Sequence, residues 1–170
     1  VFFPGVQCEW LGPPAGDPRP DHKNVLDSPM VATFGGGGGG GEFGSPSIAF
    51  ISYNFTDGGA QSCQGTDPAY FGVLRVIDGR TCEQQASFPD NPLIASQSVA
   101  IGDLGGDDTS PEIVAARQDG GLIAFTRRAG GTWEVLWSSA DHFDDTLCNW
   151  TGPSIHDLDE LILNDVHPLA

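Results

Sequence analysis

The sequence predicts an all-β fold made of short antiparallel meanders, and three observations predict it. Short apolar runs such as Ser47–Tyr53, Phe71–Ile77, Glu112–Arg117 and Leu122–Arg127 have the length and turn-bounded setting of buried strands. Glycine-rich turns, Asp78-Gly79, Asp119-Gly-Gly121 and Ala129-Gly-Gly131, separate these runs at tight-hairpin spacing. The third is a repeat. Ser28-Pro-Met-Val-Ala-Thr-Phe34, Ser98-Val-Ala-Ile-Gly-Asp-Leu104 and Gly152-Pro-Ser-Ile-His-Asp-Leu158 share one pattern, as tandem structural units do.

At 170 residues the chain can bury one core. Its formal charge of -16, with Lys23 the only lysine, disfavours nucleic acid and anionic membrane as partners, because like charge opposes approach. Cations, glycans and basic or neutral proteins stay open. No apolar run reaches the length of a membrane span, and no leader is visible at Val1, as expected of a processed form.

In chain order, residues 1–27 hold Pro13-Pro14 and Pro18-Arg-Pro20 without any period; an extended arm is expected there. Residues 28–97 form the first repeat: an inner strand over Ser28–Phe34, partners at Ser47–Tyr53 and Phe71–Ile77, and an outer strand over Thr81–Phe88. An insert from Asn54 to Tyr70 interrupts it. Residues 98–151 form the second, with strands Ser98–Gly102, Glu112–Arg117, Leu122–Arg127 and Thr132–Ser138. Trp133 and Trp137 are expected on one face of the last strand, packing between units. Residues 152–170 begin a third repeat that does not finish.

The corner between Gly102 and Glu112 carries Asp103, Asp107, Asp108 and Glu112 among glycines. Carboxylates so close repel, and a hard cation taking six to eight oxygen ligands relieves that cost; the alternative is a solvated acidic turn. The stretch Asp103-Leu-Gly-Gly-Asp-Asp-Thr-Ser-Pro-Glu112 resembles the FG-GAP (VCBS-like) repeat, roughly D-x-[DN]-x-D-G-x-x-[DE] before an apolar strand. The resemblance implies four-stranded blades of a partial β-propeller and calcium in the first hairpin. It also implies the ligands: side chains of Asp103 and Asp107, the carbonyl of Thr109 and the closing carboxylate of Glu112. The sequence departs from the pattern twice. Gly105 stands where a side-chain oxygen is usual, and one extra residue separates Asp107 from Glu112, so water is expected to complete the site. In the third repeat Asp157 and Asp159, beside Glu160, are the corresponding candidates. The first has the seven glycines Gly35–Gly41 at this place and no ligand is assigned there.

Cys8, Cys63, Cys82 and Cys148 allow three pairings. The echo of Cys8-Glu-Trp-Leu-Gly-Pro13 in Cys148-Asn-Trp-Thr-Gly-Pro153 suggests Cys8–Cys148 with Cys63–Cys82, or else a bridge within the unit of each echo cysteine. Asn54 and Asn149 head N-x-T sequons. Even cysteines, sequons and acidity together predict an extracellular setting.

No nucleophile elbow, zinc-binding His pair or phosphate loop is present, and the cluster Asp141, His142, Asp144 and Asp145 reads as a solvated loop. The expectation is a non-enzymatic, secreted or cell-surface propeller segment for adhesion, recognition or assembly, with a glycan or protein ligand. A propeller portion of a hydrolase or lyase acting on polysaccharide or lipid is the alternative. Two units and a fragment cannot close a ring, so copies of the chain or further residues are expected to cover the open sheets.

Overall fold

A computed structural model describes residues 3–34, 46–54, 68–105, 110–139 and 152–156. Over these residues it is all-β apart from a short 3-10 turn at Pro68–Tyr70. Strands β1 (Met30–Ala32), β2 (Ser47–Ser52), β3 (Gly72–Asp78) and β4 (Gln84–Leu93) form one antiparallel sheet in sequence order. Strands β5 (Ala100–Gly102), β6 (Glu112–Ala116), β7 (Leu122–Arg127) and β8 (Trp133–Ser138) form a second in the same order. These are sheet 1 and sheet 2.

The repeat seen in sequence is a repeat of register. Met30 pairs with Ala49 and Ala49 with Val76; in the same way Ala100 pairs with Val114 and Val114 with Ala124. Side chains alternate across a strand, so these pairings also match the faces of the two sheets. Each sheet has a front face, carrying the residues just named, and a back face.

The front of sheet 1 packs on the back of sheet 2. Ala49, Ile51, Leu74 and Val76 meet Ile113, Ala115, Ile123 and Phe125 in one buried cluster. Each large apolar side chain removed from water there contributes about 1.5–3 kcal/mol. The rings of Phe88 and Phe125 meet at a tilt with centroids 4.4 Å apart. Phe34 meets Trp133 edge-on at 5.0 Å, while Arg127 Nη1 donates to the Phe34 carbonyl at 2.6 Å. Ala100, Val114 and Ala124 on the front of sheet 2 form a second cluster, against which Ile155 packs.

Residues 3–29 contain no helix or strand beyond the bridge of Asn24 to Tyr53. The N-terminal segment is turned at Pro14–Asp17 and Arg19–His22 rather than extended throughout. It lies on the back face of sheet 1, with Trp10 edge-on to Phe50 at 4.9 Å. The layers therefore run from N-terminal segment through sheet 1 and sheet 2 to residues 152–156.

Several expectations are corrected. Cys8 is bonded to Cys82, with Cα atoms 5.8 Å apart, which excludes both Cys8–Cys148 and Cys63–Cys82. The cause is the position of the segment, which brings Cys8 beside the β3–β4 turn; Cys63 and Cys148 lie outside the described residues. Strand β4 starts three residues later than expected because residues 78–82 form the turn. The Asp78 carboxylate accepts the Arg80 and Thr81 N–H groups, and the Cys82 N–H returns to the Asp78 carbonyl at 2.9 Å. The strand then continues to Leu93 through Pro89 and Pro92, which an edge strand tolerates. Trp133 and Trp137 are on opposite faces. A register shift between Ala124 and Phe125 pairs Trp137 with Ala124 of the front face, whereas Trp133 packs into the core between the sheets.

Candidate functional site

The acidic corner stands on the Gly102–Glu112 pair at the end of the β5–β6 ladder. Asp103 is exposed, and its Oδ1 accepts the Gly105 N–H at 2.8 Å. Gly105 has φ 82°, a left-handed conformation that residues with a Cβ adopt at a cost.

Glu112 is buried at 4% exposure. Its Oε2 accepts the Leu104 N–H at 2.8 Å and its Oε1 the Thr126 hydroxyl at 3.3 Å. The carboxylate thereby ties the start of the corner to β6 and β7. Each oxygen retains a lone pair after one such bond, so bracing the loop and facing a cation are compatible. Ser110, 4% exposed, has its Oγ buried without a hydrogen-bond partner among the described residues. An oxygen in that state costs about 1–3 kcal/mol unless something is supplied to it.

The structure thus brings Asp103, Ser110 and Glu112 to the base of one corner. Asp107, Asp108, Thr109, Asp157, Asp159 and Glu160 lie outside the described residues, as do Asn149 and the Asp141–Asp145 cluster. Among the described residues no three His, Cys, Asp or Glu side chains gather as a metal-binding group. In sheet 1 the place of Glu112 falls to Ser47, paired with Ala32 as Glu112 is with Gly102. Its hydroxyl donates to Gln85 Oε1 at 2.7 Å. Asn54 is exposed, its backbone N–H bonded to the Ala69 carbonyl at 3.1 Å.

A second polar centre was not anticipated from sequence. Arg75 is fully buried on the back of sheet 1, and its Nη1 lies 2.5 Å from Asp17 Oδ2. The same Nη1 also reaches Ser87 Oγ and Gln84 Oε1, while Nε donates to Ser52 Oγ and Nη2 to the Arg19 carbonyl. Burial of Asp17 raises its pKa, but hydrogen bonds from Arg75, the Arg19 N–H and Gln84, together with the Arg75 charge, outweigh this and hold it below the usual value. The signal was present in sequence. An arginine inside Gly-Val-Leu-Arg-Val-Ile must find a carboxylate or leave the core.

A small cleft between the end of β4 and sheet 2 is lined by Asp90, Asn91, Arg117 and Ser138 among others. Arg117 is already engaged there, by Asp119 at 2.5 Å and the Ser139 carbonyl at 2.8 Å.

No family model matches the chain, and neither a curated protein nor a solved structure matches it.

Proposed function

We propose that the chain contributes consecutive blades to an extracellular β-propeller of the FG-GAP type, with calcium fixing the acidic corner, and that it serves adhesion, recognition or assembly rather than catalysis. One observation carries the blade reading. The equivalent residues Ser28, Ser98 and Gly152 adjoin in series. The Ser28 N–H donates to Ser98 Oγ at 3.1 Å, and a Cβ on Gly152 would come within 2.7 Å of the Ser98 carbonyl oxygen. The step from sheet 1 to sheet 2 is thus followed by one in the same direction, from sheet 2 to residues 152–156. A rotation repeated in this way generates a ring if it closes.

Support for calcium comes from Asp103, Glu112 and the unsatisfied Ser110 hydroxyl at one corner, with Asp107 and Thr109 on the same loop. Asp157 and Asp159 are the corresponding candidates in the next unit. The Cys8–Cys82 bridge, the exposed Asn54 and the acidic charge favour an oxidising, extracellular location. No helix of the described residues is long and apolar enough to cross a membrane. An acidic surface held open by calcium suits a glycan or a basic protein ligand, and further blades, from this or another chain, would complete the ring.

Thermal unfolding with calcium, with magnesium and with chelator tests the reading. Calcium at about 100 times its Kd should stabilise the chain by about 3 kcal/mol, and Asp103→Asn with Asp107→Asn should abolish the gain. A melting temperature indifferent to calcium in the wild-type chain would reject the metal.

A further inference from the structure

The back faces of the two sheets can be compared residue by residue. On sheet 2 this face carries Ile113, Ala115, Ile123 and Phe125, all buried against sheet 1. Ile48 pairs with Ile77 as Ile113 pairs with Phe125, so the equivalents on sheet 1 are Ile48, Phe50, Arg75 and Ile77. Arg75 thus stands where sheet 2 has Ile123. Among the described residues the N-terminal segment, and no sheet, covers this face. The segment is held by the Cys8–Cys82 bridge, the Trp10–Phe50 contact, the Asp17–Arg75 pair and the two backbone bonds of Asn24 with Tyr53 at 3.0 and 2.9 Å.

We infer that residues 3–24 are a start cap, an intramolecular stand-in for a neighbouring sheet that closes the back of sheet 1 to a second copy of this chain. The front face of sheet 2, now under Ile155, is apolar at Ala100, Val114, Leu122 and Ala124; its carboxylate, Glu112, stands at the strand end and is already held by the Leu104 N–H and the Thr126 hydroxyl. A second copy docking that face onto sheet 1 in place of its residues 152–156 would displace Asp17 and strand Arg75 in an apolar contact, which is strongly unfavourable. Arg75 therefore selects the cap over another sheet. Its prolines at 13, 14, 18 and 20 lack N–H donors and keep the cap from extending the pairing outward. Head-to-tail stacking of copies, which would run on as a filament, is blocked at this end. In a ring built on this chain, a further blade on this side would meet the cap rather than the strands of sheet 1. The inference rests on the packing of sheet 1 against sheet 2 and is independent of the calcium reading.

The test compares two full-length variants with the wild type by sedimentation velocity over a concentration series. Cys8→Ser alone frees the covalent tether but leaves Arg75 to hold the cap, and should keep the wild-type mass distribution. Cys8→Ser with Arg75→Ile gives sheet 1 the apolar back face of sheet 2, and its mean mass should climb with concentration without a plateau. Adding a peptide of residues 3–24 should not reverse this, because its Asp17 has lost its partner. A folded double variant with the wild-type distribution overturns the inference, and so does open-ended growth of Cys8→Ser alone. If the double variant lacks a β-sheet circular dichroism spectrum, hydrogen exchange of the reduced wild type decides. Residues 3–24 opening as a unit before β2 and β3 support the cap; simultaneous opening of segment and sheet overturns it.

Discussion

Sheets 1 and 2 share one register and one strand order, yet they differ in charge at equivalent places. Arg75 replaces Ile123, Asp27 replaces Gln97, Ser47 replaces Glu112, and in the turn before the outer strand the left-handed residue is Cys82 rather than Gly131. The shared part follows from short apolar runs bounded by glycine turns, which set the strands and hairpins of both sheets. The polar departures record what each sheet faces. Sheet 2 lies against another sheet and is apolar on its back; sheet 1 lies against an irregular segment and meets it with a buried ion pair and a disulfide. A repeated backbone thus leaves each unit free to specify its own neighbour.

The largest expected effect comes from breaking the Arg75–Asp17 pair. With side-chain exposures of 0% and 2%, removal of one partner leaves a buried, uncompensated charge. Asp17→Ala should cost about 3–5 kcal/mol in urea unfolding, and adding Arg75→Ile should recover most of it. Additive costs in that cycle would mean that the two side chains are not coupled. The sign with pH follows from the depressed pKa of Asp17. Its contribution is present above the unfolded-state value of 3.8 and is lost as pH falls through the lower folded value. The acid limb of the stability curve should therefore be shallower in Asp17→Ala.

A smaller and opposite effect is expected at Asp27. Its Oδ2 accepts the Ile51 N–H at 3.3 Å, continuing the edge of β2 past the end of β1. Burial raises its pKa from 3.8 to about 6, against the lowering pull of the hydrogen bonds from the Ile51 and Asp27 N–H groups. The folded chain then binds more protons than the unfolded chain between those values. Its contribution is fully present below the unfolded-state value of 3.8 and is lost as pH rises through about 6. Asp27→Asn keeps the acceptor and resembles the uncharged Gln97 of sheet 2. It should gain about 1–2 kcal/mol at a pH about two units above the folded value and nothing below the unfolded one, allowing for partial solvent screening. An equal gain at both pH values would show that desolvation of the charge is not the cause.

These contrasts also mark how far the sequence reaches. Strands β2, β3, β6 and β7 were legible because short apolar runs and glycine turns are local properties, and β7 has the expected bounds, Leu122–Arg127. The strand expected over Thr81–Phe88 runs on to Leu93 through Pro89 and Pro92, because a sheet edge tolerates residues without an N–H that a central strand would not. The faces of the two tryptophans depended on a register shift, which periodicity does not reveal. That Arg75 needs a carboxylate is legible, but the choice of Asp17, like that of Cys82 for Cys8, depends on where an irregular segment comes to rest, and nothing local encodes that. At the acidic corner Asp103 and Glu112 stood out by charge. The bracing of Leu104 and Thr126 by Glu112 needed β7 beside the loop.

The smallest effect isolates the backbone of the β3–β4 turn. Cys82 has φ 59°, the one described non-glycine residue with positive φ, while Gly131 has φ 85° in the β7–β8 turn. A side chain in the left-handed region costs about 1 kcal/mol relative to glycine, and at position 82 the bridge to Cys8 offsets that cost. Without the bridge the offset disappears. In the Cys8→Ser background, Cys82→Gly should therefore be more stable than Cys82→Ser by about 1 kcal/mol, read from urea midpoints at equal slope. If serine proves equal or better, the turn relaxes once the disulfide is gone, and the left-handed residue is a consequence of the bridge rather than a shared requirement of the two hairpins.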